Sequence, residues 1–185
     1  ASREITITAA SQEWPYDGLT HQNTEVKLTG GELFEGDELV AEAIGSVRNV
    51  ADTAEGNNPV AEGYKVMNGT EDVTANYAIT AVAGKLSITP IDAKITAQDD
   101  SQEYNGEALT NEDFESEGIL TDQGDKVESV VITGSQTDVG KSDNVPSAAK
   151  IVDADGADVT ANYNIEYING SLEVTPKEVT ITTGS

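Results

Sequence analysis

The chain has 185 residues, with no Cys, one His, one Met and one Trp, and its 34 acidic against 10 basic side chains give a formal net charge of −24. So acidic a surface repels phosphate backbones and anionic lipid, which argues against nucleic-acid and membrane-surface partners, and the lack of Cys excludes a disulfide scaffold. Leu, Ile, Val and Phe supply only 40 residues, close to the composition at which chains cease to build a core, so patterning must decide whether this one folds.

Period-two alternation rich in β-branched residues predicts strands along the whole chain. In order these are Glu4–Thr8 (EITIT), Glu38–Ile44 (ELVAEAI), Tyr77–Val82 (YAITAV) and Lys85–Thr89 (KLSIT). They are followed by Lys94–Ala97 (KITA), Lys126–Thr133 (KVESVVIT), Tyr163–Ile168 (YNIEYI) and Ser171–Thr175 (SLEVT). Between them stand Asp17-Gly18, Gly30-Gly31, Asn68-Gly69, Asn105-Gly106, Asp155-Gly156 and Asn169-Gly170, dipeptides that accept the positive φ of tight turns. Asn169-Gly170 lies directly between two strand patterns and predicts a hairpin. No segment carries a sustained 3.6-residue apolar stripe, so the predicted class is all-β.

The chain is also a repeat. DVTANY occurs at Asp72–Tyr77 and again at Asp158–Tyr163, and the offset of 86 holds through to Pro90 and Pro176. Earlier landmarks pair too: YDG (Tyr16–Gly18) with YNG (Tyr104–Gly106), EGDEL with QGDKV around Gly36 and Gly124, and GSVRNVA from Gly45 with GSQTDVG from Gly134. The expected organisation is repeat 1 over 1–90, repeat 2 over 91–176, and the first strand of a third repeat over 177–185, where KEVTIT echoes REITIT. No apolar run approaches the roughly 18 residues of a membrane span and no signal peptide is recognisable, so the chain reads as a piece of a longer array.

DVTANY predicts a structural corner. Asp72 and Asp158 can accept backbone N–H groups at the start of a tight turn, Asn76 tolerates the left-handed conformation that would end it, and Tyr77 and Tyr163 open strands. This resembles the tyrosine corner of immunoglobulin-like sandwiches, in which a Tyr bonds back to the preceding backbone. Ile79 and Ile165 stand where that fold has a Cys. The wider order of YDG, a later VG or VA (Val139-Gly140, Val50-Ala51), ANY and a closing G-x-L-x-[IV]-T-P is similar to the YDG/MBG-type repeats of large bacterial surface proteins and adhesins. That resemblance implies two tandem immunoglobulin-like β-sandwich domains, extracellular and non-enzymatic, in a Gram-positive cell-wall setting to which the lack of Cys is suited.

Two segments are candidate sites. DADGAD (Asp153–Asp158) places Asp153, Asp155 and Asp158 at positions 1, 3 and 6 of a calcium-type loop, but the twelfth position is Asn164 rather than a bidentate Glu, so a hairpin turn is the preferred reading. WPYDG holds Trp14 and Tyr16, which could stack on a sugar or anchor a protein, or could cover the core. His21 is isolated and expected to be exposed. No nucleophile–base set, metal cluster or phosphate loop can be assembled, so no cofactor and no enzyme is expected. Two function classes remain: an adhesin stalk or spacer built of rigid domains in an extended, monomeric array, and a module that binds a host glycan or a host secretory protein such as mucin or immunoglobulin. Short Thr-Pro joints at Pro90 and Pro176, stiffened by proline, favour the extended spacer.

Overall fold

The computed structural model describes residues 1–184 and is all-β; among the described residues the helical turns are four 3-10 turns of three residues each. It divides into two compact units, Ala1–Pro90 and a second that begins at Ile91.

The first unit contains β1 (Arg3–Ala9), β2 (Gln12–Pro15), β3 (Val26–Gly30), β4 (Asp37–Val40), β5 (Lys65–Asn68), β6 (Glu71–Asp72), β7 (Tyr77–Val82) and β8 (Leu86–Thr89). They form three sheets, ordered β3-β1-β7, β2-β8 and β4-β5-β6. Alternation drives the placement: Ile5, Ile7 and Ala9 point inward from β1 while their neighbours face out, as the two-residue period of a strand requires. Ile5 and Ile7 pack with Val66 and Tyr77, and Leu39, Val73 and Ile79 close over them. The predicted strand at Glu38–Ile44 ends at Val40, beyond which only an isolated bridge from Ala43 to Val60 continues it.

The second unit contains β9 (Ile91–Ala97), β10 (Asp100–Glu103), β11 (Phe114–Glu117), β12 (Lys126–Thr133), β13 (Gly140–Val152), β14 (Tyr163–Ile168) and β15 (Gly170–Thr175). Its sheets are β11-β9-β14 and β10-β15-β13-β12. The thirteen-residue β13 contains a bulge: Ala148 has φ 48° and the register against β12 shifts beside it. Inward positions are Asn144 and Pro146 before the bulge, and Ala149 and Ile151 after it, so the extra residue reverses which parity faces the core. Tyr167 accepts the Ala149 N–H (2.9 Å) at that point.

Asn169-Gly170 does not make the predicted hairpin. β14 pairs with β9 in parallel, whereas β15 pairs with β10 in parallel and β13 in antiparallel. Consecutive in sequence, β14 and β15 belong to different sheets. Gly170 is buried, its φ is not in the left-handed range, and a Cβ there would lie 2.5 Å from the carbonyl oxygens of Ala97 and Gln98. Glycine is needed for close backbone approach, not for a turn. Gly84, 86 residues earlier, is the same device: a Cβ would fall onto the Ala10 carbonyl. The other five turn dipeptides each contain a glycine of positive φ: Gly18, Gly31, Gly69, Gly106 and Gly156.

These close approaches mark where two chain segments cross together from one sheet to another. In the first unit β1 pairs with β7 from Arg3↔Tyr77 to Thr8↔Val82, and β2 pairs with β8 from Gln12↔Leu86 to Pro15↔Thr89. The offset is 74 throughout, so residues 3–15 and 77–89 form one parallel ribbon that changes sheet without changing register. Residues 91–103 and 163–175 do the same at an offset of 72, from Ile91↔Tyr163 to Glu103↔Thr175. The outer edges differ between units. β15 is flanked by β13, whereas β8 is capped by side chains: Asn57 donates to Leu86 O (2.8 Å) and accepts its N–H (2.7 Å), and Thr53 accepts the Ile88 N–H (2.9 Å). Such side chains satisfy an edge that would otherwise invite another strand.

Lys177–Gly184, where the first strand of a third repeat is expected, carry no strand pairing. Val179 and Ile181, which correspond to the buried Ile5 and Ile7, are exposed; a single strand is not stable without neighbours. Ser185 lies outside the described residues.

Candidate functional site

The DVTANY corner is built the same way twice. Asp72 accepts the Thr74 N–H (3.0 Å) and hydroxyl (2.6 Å), opening the 3-10 turn Thr74–Asn76, and Thr74 Oγ1 in turn accepts the Val66 N–H (2.9 Å). Asp158 accepts the Thr160 N–H (2.9 Å), and Thr160 Oγ1 accepts the Ile151 N–H (2.8 Å). In both, the threonine hydroxyl and N–H hold the carboxylate below its ordinary pKa. Asn76 is not left-handed; among the described residues Ala148 is the one non-glycine with positive φ. The 3-10 turn absorbs the reversal and no positive φ is needed.

Tyr77 and Tyr163 are buried, 6% and 5% exposed. The Tyr77 hydroxyl does not return to the backbone just upstream, as an immunoglobulin corner would. It donates to Asp37 Oδ2 (2.6 Å) and accepts the Phe34 N–H (2.9 Å). Tyr163 repeats this with Asp125 Oδ2 (2.6 Å) and the Leu120 N–H (3.1 Å). Asp37 and Asp125 are the aspartates of EGDEL and QGDKV, so two landmarks matched in sequence are one tie in space. The hydrogen bond from Tyr77, and then that from Asn68, lower the Asp37 pKa, while burial and the bond to Asp37 raise that of Tyr77.

A second duplicated device was missed in the sequence. Asn58 and Asn144, 86 residues apart, are both 0% exposed. Asn58 Nδ2 donates to Ala10 O (2.8 Å) and Asn23 O (2.9 Å), and its Oδ1 accepts the Gly45 N–H (2.9 Å). Asn144 Nδ2 donates to Gln98 O (3.1 Å) and Asn111 O (2.9 Å); its Oδ1 has no partner. Each asparagine therefore ties the sheet-switch point of the ribbon to a loop, a position where strand ladders leave carbonyls unpaired. The shared offset with DVTANY was the available signal.

The segments proposed for binding fare unevenly. Tyr16 is buried at 2% exposure and so presents no stacking face. Trp14 is half-buried and stacked on His21, with centroids 4.8 Å apart and planes at 17°. His21 is thus not the exposed residue expected: its Nε2 lies 2.9 Å from Asp17 Oδ1, and its backbone pairs with Val47. Asp17 is four residues away along a loop, a contact that sequence spacing does not advertise. Burial opposes ionisation of Asp17 most strongly, but the Leu19 N–H and His21 together leave its pKa lowered. This cluster has no counterpart in the second unit.

The calcium-type residues are not assembled. Asp153 is buried and its Oδ1 accepts the N–H groups of Asp155 (3.0 Å) and Ala157 (2.9 Å), while Asp155 and Asp158 are exposed and Asp158 faces Thr160. Among the described residues no three His, Asp or Glu are gathered to hold a metal. The segment is a turn.

Both units carry an open groove at the same place, over the three-stranded sheet containing the first strand. In the first it measures about 570 Å³ and is bordered by Glu4, Thr6, Ala78 and Thr80; in the second, about 750 Å³, by Asp92, Lys94, Asn164 and Glu166. Shape is repeated and chemistry is not. Comparison with family models, curated proteins and solved structures finds no match to the chain.

The lowered carboxylates set a pH response. A carboxylate with a depressed folded-state pKa adds stability at neutral pH that is lost as pH falls through that value. Against this, protonating other carboxylates of the 34 acidic residues relieves self-repulsion. The melting temperature should therefore rise modestly from pH 7 to about pH 4.5, then fall below about pH 3.5 as Asp37, Asp72 and Asp158 protonate. Thermal melts across this range test it; a continued rise to pH 2 would contradict it.

Proposed function

We propose that the chain is a pair of tandem immunoglobulin-like β-sandwich units, of the YDG/MBG type, that serve as a non-enzymatic stalk or spacer in a Gram-positive bacterial surface adhesin. The observation that carries this reading is what the two units share and what they do not. They share ties that hold strands together, the Tyr–Asp pair and the buried asparagine, whereas loop aromatics and groove chemistry differ. A repeated ligand would require repeated recognition groups; a repeated scaffold requires only repeated framework. The chain enters each unit at one end of its parallel ribbon and leaves at the other, a topology suited to spacing. The net charge of −24 favours extension by self-repulsion and keeps an exposed array soluble.

Small-angle scattering tests the spacer reading. The expected maximum dimension is close to twice that of a single unit, with the chain monomeric. A compact particle would instead favour the second class, a module binding host glycan, mucin or immunoglobulin, for which the unit-specific stack of Trp14 on His21 is the supporting observation.

A further inference from the structure

We infer that each unit is a mechanical clamp that resists tension applied along the chain. In the parallel ribbon of the first unit the upstream segment is continuous with the unit's N-terminus and the downstream segment with its C-terminus. Tension pulls residues 3–15 by the Arg3 end and residues 77–89 by the Thr89 end. These are opposite ends of a parallel pair, so the load runs along the strands and across every bond between them together. Had the segments been antiparallel, the same pull would open the ladder one bond at a time. The second unit has the same arrangement between residues 91–103 and 163–175.

The registers make this one clamp rather than two. Six residue pairs in β1–β7 and four in β2–β8 hold the same offset across the change of sheet, and the second unit repeats both numbers. A ladder that slipped in one sheet would have to slip in the other. The switch point, where slippage would begin, is pinned. Asn58 binds Ala10 and Asn23 while its backbone pairs with Gly84 in both directions, and Asn144 binds Gln98 and Asn111 opposite Gly170. Resistance to forced unfolding is governed by the unfolding rate under load, and a barrier requiring simultaneous rupture of a parallel ladder makes that rate depend on direction. The inference adds to the spacer reading without depending on it: the direction of strength belongs to each unit whatever the chain is attached to.

Single-molecule pulling through cysteine handles tests it, and the absence of native Cys makes handles site-specific. Ser2→Cys with Asp92→Cys loads the first unit's ribbon at opposite ends; Ser2→Cys with Ala75→Cys loads β1–β7 at the same end. All three positions are exposed. The first pair should unfold at a several-fold higher force at equal loading rate. The second unit repeats the comparison with Asp92→Cys and Lys177→Cys against Asp92→Cys and Ala161→Cys, so a handle that impairs folding in one unit leaves the other to decide. Equal forces in the two directions, in whichever units melt as wild type, would overturn the clamp while leaving the scattering test of the spacer untouched.

Discussion

Asn58→Ala should destabilise the first unit by about 3–4 kcal/mol, among the largest effects available to one substitution in this chain. The side chain is fully buried and its three hydrogen bonds all go to backbone groups, at Ala10, Asn23 and Gly45. Alanine removes all three and leaves two carbonyls and an N–H without that partner in the interior, which costs more than the net worth of a hydrogen bond. For a unit of this size that is a fall of about 15–25 °C in its melting transition, seen by calorimetry as an early step absent from wild type. Asn144→Ala should cost about 2 kcal/mol, since Asn144 makes two such bonds and its Oδ1 none. Small effects at both sites would show that these asparagines do not hold the switch points, and a larger one at Asn144 would contradict the ranking by hydrogen-bond count.

Gly84→Ala should be comparably severe, about 3–5 kcal/mol, for a different reason. The new Cβ would overlap the Ala10 carbonyl, which is backbone and cannot rotate away. Relief requires the two segments to separate where Asn58 and Gly84 exchange N–H···O bonds of 3.1 and 2.9 Å. Gly170→Ala meets Ala97 O and Gln98 O at 2.5 Å and should behave alike. Gly63→Ala is the control. It has φ +88° and open space around it, so it should cost only the roughly 1–2 kcal/mol of a left-handed residue. Chemical denaturation of the three variants measures the contrast, and a Gly84→Ala cost no larger than that of Gly63→Ala would refute close approach as the reason for glycine there.

Part of the fold was legible because burying one face of a strand fixes a two-residue alternation that shows in sequence, as it does in β1, β8, β9 and β15. Tyr77–Val82, Lys126–Thr133 and Tyr163–Ile168 are strands over the predicted bounds although they bury at most their first residue, and there the β-branched and aromatic composition was the signal. β13 was illegible for the converse reason. GKSDNVPSAAKIV puts an Asn and a Pro inside, and its bulge at Ala148 breaks the alternation. The hairpin expected at Asn169-Gly170 failed because one residue type serves two purposes: glycine permits positive φ and it permits contact, and only the tertiary structure distinguishes them. The tyrosine corner was half legible. Its local half, Asp to Thr, lies within three residues. Its distant half, Tyr77 to Asp37, spans 40 residues, and no spacing rule links positions so far apart, although both motifs had already been seen to recur.

The most direct measurement of the central claim, that the two units are scaffold and neither is a recognition module, is a binding screen of the intact chain against glycan arrays, mucin and immunoglobulin. No saturable binding is predicted for either unit. Saturable binding that is abolished by Trp14→Ala, in a variant that melts as wild type, would contradict the claim and establish the first unit as a recognition module.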